Sequence, residues 1–115
     1  MKAPVSAMGG THILLGALDL LVLKTLDGGP QHGFGIAQHI QTASEGLLRA
    51  EDGSLYPALH RLERGGLVEA EWTRTEAGRR ARVYRLTKAG RKELGRRVEH
   101  WETLRRGVKR VLRSG

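Results

Sequence analysis

The first long hydrophobic segment of the chain predicts an amphipathic helix. Apolar residues recur at i, i+3 and i+4 between Ile13 and Leu26, and Thr11 before them is a suitable N-cap. Because apolar residues line two faces, we expect this helix to be buried on two sides. The second face either packs inside the chain or meets another subunit. The first face consists of Leu14, Leu15, Leu18, Leu21 and Val22, and the second of Ile13, Ala17 and Leu20.

A second helix is predicted over residues 33–42, after a Gly-Gly-Pro break that ends the first. A third helix is expected to begin near Ser54, with Gly53 or Ser54 as its cap. Proline is tolerated only in the first helical turn, and with either cap Pro57 would occupy the fourth or third helical position. Residues 65–66, Gly-Gly, end it. The apolar set of the second helix is Phe34, Ile36, Ala37 and Ile40.

Two alternating segments after the third helix predict a β-hairpin. Residues 67–72 place Val68, Ala70 and Trp72 on one side, and residues 82–86 place Tyr84 and Leu86 on one side. The polar loop between the strands contains one glycine and three arginines. We therefore expect a hairpin with a basic tip.

The last predicted helix begins after Thr87 as N-cap and carries a heptad pattern. Apolar residues spaced by seven, with further ones at d-type positions, are typical of a coiled-coil-like seam. We interpret this seam as a dimer interface that also uses the second face of the first helix. The seam consists of Leu94, Val98, Trp101, Leu104, Val108 and Val111, with Leu112 at its edge.

Three short helices followed by a hairpin form the order of a winged helix-turn-helix domain. The fold class predicted here is therefore mainly α with a small β-hairpin, completed by a C-terminal dimerisation helix. The expected division is a flexible tail over residues 1–10, a DNA-binding domain over residues 11–86 and the dimerisation helix over residues 87–115.

Composition narrows the possible functions. The 115-residue chain has no cysteine, which removes disulfides and thiolate chemistry, and its net charge of +8 favours nucleic acid or an anionic membrane surface as a partner. Residues 87–113 alone hold ten Lys and Arg against three Glu. The longest apolar run has 14 residues and includes Asp19 and Lys24, so neither a membrane span nor a signal peptide is expected. We expect a soluble cytoplasmic protein.

The third helix has the polar face that a major-groove helix needs. Leu55, Leu59 and Leu62 fall on one side when the helix is projected at 100° per residue. Arginine can contact guanine O6 and N7, and His and Ser can bind base edges or phosphates. An ordinary solvated amphipathic helix would show the same pattern. The outward candidates are Ser54, Tyr56, Pro57, His60, Arg61 and Arg64.

Clustered arginines at the hairpin tip strengthen the nucleic-acid hypothesis. Guanidinium groups placed this closely repel one another and need an anion, which a phosphate backbone or a narrow minor groove supplies. A solvated edge hairpin protected by charge is the alternative. The cluster consists of Arg74, Arg79, Arg80 and Arg82, with Arg85 further along the strand.

Other chemistry is poorly supported. His32, His39 and His60 lack a carboxylate partner at metal-ligand spacing, so no metal site is predicted. Catalytic triads, a P-loop and paired carboxylates are missing, so we expect neither an enzyme nor a cofactor. Trp101 lies on the seam, where it either packs in the dimer or forms an aromatic wall for a small planar effector.

Four segments resemble the PadR family of bacterial transcription regulators. They are LLGALDLLVLKTL, HGFGIAQHI, GSLYPALHRLERGGLVEAEW and RRARVYRLTKAG, and the likeness spans about residues 11–112. The closest likeness is to short members with one C-terminal helix. The resemblance implies a winged-helix domain, a homodimer formed by the C-terminal and first helices, and usually repression. It places the recognition helix on Ser54–Arg64, the basic wing on Arg79–Arg85, and a second-helix motif on His32, Gly33 and Phe34, where the family often has tyrosine instead of Phe34.

These observations together predict a homodimeric repressor that binds a palindromic operator in double-stranded DNA. Two-fold symmetry of the dimer implies the palindrome. Two alternatives remain open: a winged-helix module whose arginines bind an acidic protein, and a nucleic-acid-binding protein without sequence preference.

Overall fold

The computed structural model describes residues 11–12 and 15–115 and places four helices and five strands among them. The helices are α1 (Leu15–Asp27), α2 (Gly33–Ala43), α3 (Asp52–Arg64) and α4 (Lys88–Arg113). The strands are β1 (Thr11–His12), β2 (Gln31–His32), β3 (Leu48–Arg49), β4 (Val68–Arg74) and β5 (Arg80–Leu86). This arrangement confirms a mainly helical winged fold with a small antiparallel sheet.

The start of the first helix differs from the prediction. Thr11 lies in β1, where it pairs in parallel with Leu48 of β3, so it is not the N-cap of α1, which begins at Leu15. The backbone pairing of Thr11 holds it in an extended strand instead. Ile13, Leu14 and the tail predicted over residues 1–10 lie outside the described residues.

The third helix begins earlier than predicted. Glu51 is its N-cap, and the Glu51 carbonyl accepts the N–H of Leu55 at 2.7 Å. Pro57 consequently lies at the sixth helical position, beyond the third or fourth position expected. A proline there removes the N–H that would bond to the Gly53 carbonyl. Gly53 is exposed, so water can reach this end of the helix.

The hairpin is confirmed and gains a third strand. The sheet order is β2-β5-β4, all antiparallel, with Val68 opposite Leu86 at its base and Arg74 opposite Arg80 at its tip. Both hairpin strands extend beyond the predicted segments, so the connecting turn shortens to residues 75–79. The short strand β2 leads directly into α2 and joins the wing to that helix.

The core lies between α1, the inner face of α3 and the base of the sheet. The predicted leucine face of α3 is buried, as are Tyr84 and Leu86 of β5. Trp72 lies on the predicted face of β4 but is 57% exposed, because the strand has left the core there. The core consists of Leu18, Val22, Leu23, Leu26, Ile36, Ile40, Ala50, Leu55, Ala58, Leu59, Leu62, Val68, Tyr84, Leu86 and Leu94.

The first turns of α4 are fixed to the wing. The Thr87 hydroxyl accepts the N–H of Gly90 at 2.9 Å, which confirms Thr87 as the N-cap. Leu94 is only 6% exposed and belongs to the core, so it offers almost no surface to a second subunit, contrary to its predicted place in the seam. The remaining apolar seam residues, from Val98 onward, are exposed.

Candidate nucleic-acid interface

The outward face of α3 is polar, as predicted. Every outward candidate on this helix is exposed, while the four residues of its inner face are buried. The cations Arg61 and Arg64 fall in its last turn. Those exposed candidates are Ser54, Tyr56, Pro57, His60, Arg61 and Arg64.

Ion pairs hold both flanks of α3. On one flank, Arg61 donates from Nη2 to Oδ1 of Asp19 on α1, at 2.9 Å. On the other, Arg82 of β5 donates from Nη2 to Oε2 of Glu63 at 2.8 Å. These contacts fix α3 against α1 and against the wing. They also give two of the predicted DNA-binding cations, Arg61 and Arg82, partners within the chain.

Arg82 lies next to Tyr84 beneath the wing. Burial raises the pKa of the Tyr84 hydroxyl, and the nearby Arg82 guanidinium opposes that rise. The Nε atom of Arg82 is buried and has no hydrogen-bond partner among the described residues. Arg82 is therefore built into the junction between the wing and α3.

Trp72 and the turn organise the basic tip of the wing. The Arg80 guanidinium carbon lies 4.4 Å from the centroid of the Trp72 ring, and that of Arg82 lies 5.6 Å from it. Arg74 donates to the Gly78 carbonyl at 2.9 Å and closes the turn. Within the described part of the chain, the guanidinium groups of Arg79 and Arg80 form no ion pair. They are the cations available at the tip.

A groove of about 390 Å³ brings the beginning of α2, the side of α3 and the wing together. His32 caps α2, since its Nδ1 accepts the Gly35 N–H at 3.0 Å. A neutral His32 ring then carries its proton on Nε2, where it can donate. A Cβ on Gly33 would lie 2.6 Å from the Tyr56 hydroxyl, so glycine permits this close packing. The groove is lined by His32, Gly33, Phe34, Tyr56, Thr75, Arg79, Arg80, Ala81, Arg82 and Tyr84.

The outer part of α4 carries an apolar stripe whose members are 40–78% exposed. Beside it, a cavity of about 450 Å³ between α1 and α4 includes Ala17, Leu20 and Trp101. Ala17 and Leu20 of the second face of α1 are half-buried beside this cavity, which leaves part of that face accessible. The exposed stripe consists of Val98, Trp101, Leu104, Val108, Val111 and Leu112.

Comparison with known proteins assigns the family. Residues 22–96 match the model of the transcriptional regulator PadR-like family, which is most of the chain. This chain belongs to the PadR-like family of transcriptional regulators. The recognition-helix and wing segments both fall inside the match, so the resemblance seen in the sequence is confirmed.

Relatives of this PadR-like chain agree with that assignment. A transcriptional regulator of Mycobacterium tuberculosis is 43% identical over 77 residues, 67% of this chain and 68% of the relative. A PadR family regulator of Eggerthella lenta has 31% identity and a TM-score of 0.74, over 87% of this chain and 85% of the other. A transcriptional regulator of Clostridium thermocellum has 27% identity and a TM-score of 0.76, over 83% and 92%.

Sequence reasoning missed the contacts of three residues that organise this candidate interface. Trp72 was assigned to the hairpin, but its ring contacts with Arg80 and Arg82 were not predicted. The cross-strand register, which puts Trp72 opposite Arg82, could have indicated them. Asp19 was noted only as an acid that interrupts the first apolar run, and Glu63 was not singled out. Asp19 pairs with a residue 42 positions away, a distance that helical periodicity cannot detect. An acid within an otherwise apolar segment was the one available signal for it.

The described residues contain neither a membrane-spanning helix nor a cluster of metal-ligating side chains. None of their helices is long and apolar enough to cross a membrane. No three His, Asp or Glu side chains among them come together as they would around a metal ion.

Proposed function

We propose that this PadR-like chain binds double-stranded DNA through α3, the beginning of α2 and the wing. The supporting observation is the shared groove, where the exposed cations of the wing face the same space as the N-terminus of α2. A helix N-terminus attracts phosphate, and free guanidinium groups bind phosphate or a narrow minor groove. The DNA contacts proposed are His32, Gly33, Phe34, Ser54, Tyr56, Pro57, His60, Arg64, Arg79 and Arg80.

We assign Arg61 and Arg82 a different part in this interface. Both side chains form ion pairs with acids of the chain. Their proposed role is therefore to hold α3 in place, and not to contact DNA directly. Phe34 is 69% exposed at the start of α2 and contributes an apolar surface without a hydroxyl.

We further propose a homodimer that represses transcription at a palindromic operator. The exposed stripe on α4 supports the dimer, because an apolar face of this length is unfavourable in water and its heptad spacing suits a second helix. Two α3 helices would then enter successive major grooves roughly 34–36 Å apart. The proposed interface consists of Ala17, Leu20, Val98, Trp101, Leu104, Val108 and Val111; Ile13 is a further expectation.

Titration of the purified chain against DNA tests the proposal. We expect the region upstream of its own gene to bind much more tightly than scrambled DNA at moderate salt, with a two-fold symmetric footprint and a dimeric mass by sedimentation. Equal binding to both DNAs would favour a nucleic-acid-binding protein without sequence preference. Binding to neither would favour a module for an acidic protein partner. A reporter gene behind the operator tests repression.

Trp101 is also our proposed contact for a small aromatic effector. It lies at the cavity between α1 and α4, which is partly apolar and open to the stripe. A panel of planar aromatic compounds should change the Trp101 fluorescence of a Trp72→Phe variant. No response to the panel would leave Trp101 as a packing residue.

A further inference from the structure

Asp19 lies where α1, α3 and α4 meet. Its side chain is only 13% exposed, and its Oδ1 accepts from Arg61 of α3 at 2.9 Å. Its Oδ2 lies 3.7 Å from Nη1 of Arg97 on α4. One carboxylate therefore faces the flank of the proposed recognition helix and the side of the proposed dimerisation helix at once.

The α4 side of this contact is itself fixed. Arg97 donates from Nε to Oε2 of Glu93 at 2.7 Å, and Glu93 also accepts from Arg96 at 2.6 Å. Glu93 is one turn before Arg97, next to the core residue Leu94. The Arg97 guanidinium is thus oriented by Glu93 of its own helix, and in this orientation it faces Asp19. A charge network consequently runs from α3 through α1 to the part of α4 that precedes the apolar stripe.

The ion pairs on the two flanks of α3 connect this helix to different elements. Glu63 joins α3 to the wing of the same domain through Arg82. Arg61 joins α3, through Asp19, to the helix that continues into the exposed stripe. Because α4 is about 39 Å long at 1.5 Å per residue, a small rotation at its base displaces its far end considerably.

We propose that Asp19 is a positioning residue that fixes the orientation of α3 relative to α4, and thereby the separation of the two α3 helices in the dimer. This inference rests on the proposed homodimer. Two-site binding is strong only when both half-sites can be engaged together, so a defined separation is needed for the avidity of a dimer. Arg61 and Arg97 act through Asp19 in the same role.

The absence of cysteine from the chain allows a direct measurement. A Ser54→Cys variant of the full chain places one spin label at the exposed start of α3, and a homodimer then gives one inter-subunit distance. We expect a narrow distance distribution when Asp19 is present. Asp19→Asn removes the charge with almost no change of shape, so we expect the distribution to broaden or shift.

Matched variants separate positioning from general destabilisation. Glu102→Gln removes the same charge from an ion pair within α4, with Arg105, and should leave the distribution narrow. Arg97→Gln removes the α4 partner of Asp19 together with the Arg97–Glu93 ion pair, and Arg61→Gln removes the α3 partner; each should broaden the distribution. If Asp19→Asn does not fold, the distance distribution of Arg97→Gln still tests the inference.

A DNA measurement gives an independent readout. Asp19→Asn should lower the ratio of the affinities for a two-half-site duplex and a single half-site, which is the avidity of roughly 10²- to 10⁴-fold, and this ratio cancels any change in the half-site affinity itself. Unchanged distances in both Asp19→Asn and Arg97→Gln would overturn the inference and leave the homodimer intact. A monomeric wild-type chain would instead overturn the homodimer, and this inference with it.

Discussion

Two glycines of α4 have opposite surroundings. A Cβ on Gly90 would collide with the carbonyl oxygen of Leu67 and lie 2.8 Å from Cδ1 of Leu86, whereas a Cβ on Gly95 would meet nothing within 4 Å. Gly90 therefore lets the first turn of α4 approach the base of the wing. Gly95 has no such contact among the described residues, and it carries only the cost of glycine in a helix.

These surroundings predict opposite effects of the same substitution. Gly90→Ala should lower the free energy of unfolding by about 1–3 kcal/mol, because the backbone of Leu67 cannot move aside cheaply. Gly95→Ala should raise it by about 0.5–1 kcal/mol through helix propensity. Urea denaturation of both variants checks this. Equal effects of the two would contradict the close approach of α4 to Leu67.

Arg80 is the wing cation whose contribution to DNA binding is easiest to isolate. Trp72 orients its guanidinium, and no acid of the described chain neutralises it. Arg80→Ala should weaken binding to all sequences alike and flatten the slope of log K against log salt by about 0.9, the value for one phosphate contact. Lys24→Ala, which makes the same charge change at an exposed position of α1, is the control. A slope that Arg80→Ala leaves unchanged would exclude a phosphate contact by Arg80.

How far side-chain roles could be predicted depends on the range of the interaction. The inner leucines and the outward polar residues of α3 follow from 100° periodicity alone, because both are properties of one helix. Arg61 was predicted to face outward, and it is exposed, but its pairing with Asp19 depends on how α1 packs against α3. That packing has no local sequence signal.

At the scale of elements, the length of a strand decides whether the sequence pattern can predict it. The hairpin strands have seven residues each, enough for alternation to be visible, and both were predicted. The strands β1, β2 and β3 have two residues each and exist only through their pairing partners. The start of α3 was misplaced because Pro57 was assigned to the first turn, whereas the exposed outer side of the helix tolerates it at the sixth position.

Helix α4 carries an acid-sensitive contact at Glu93. Hydrogen bonds from Arg96 and Arg97 lower the pKa of the Glu93 carboxyl from 4.5 to about 2. A carboxyl with a lowered folded-state pKa stabilises the fold fully above its unfolded pKa, and this contribution is lost as the pH falls from 4.5 towards 2. Glu93→Gln should therefore flatten the loss of stability over this pH range.

Thermal unfolding between pH 5 and pH 2 measures the effect. Glu99→Gln, on the same helix, is the matched control, because Glu99 forms no ion pair within the described chain. The melting temperature of Glu99→Gln should follow that of the wild type across the range. A Glu93→Gln curve parallel to the wild type would refute the proposed contribution of the ion pairs.

At the scale of the whole molecule, the apolar stripe and the proposed DNA surface lie on different elements, whereas exposed cations occur on both. The groove and the wing tip carry the exposed cations of the proposed DNA surface, and the outer part of α4 carries the apolar stripe. The base of α4 is anchored in the core through Leu94, so the stripe extends from a fixed support. This division suits a protein that pairs through one end and binds a polyanion with the other.

Leu104 tests whether these two ends work together. It lies in the stripe and at the cavity beside α1, so Leu104→Glu places a charge in the proposed seam and should give a monomeric mass by sedimentation. Because the α3–wing surface is unchanged, the affinity for a half-site should persist. The preference for a palindromic duplex over a half-site should fall to about one, since avidity requires both subunits. Thr103→Glu adds the same charge at the neighbouring exposed position and should remain dimeric. A Leu104→Glu variant that stays dimeric would show that the stripe is not the seam.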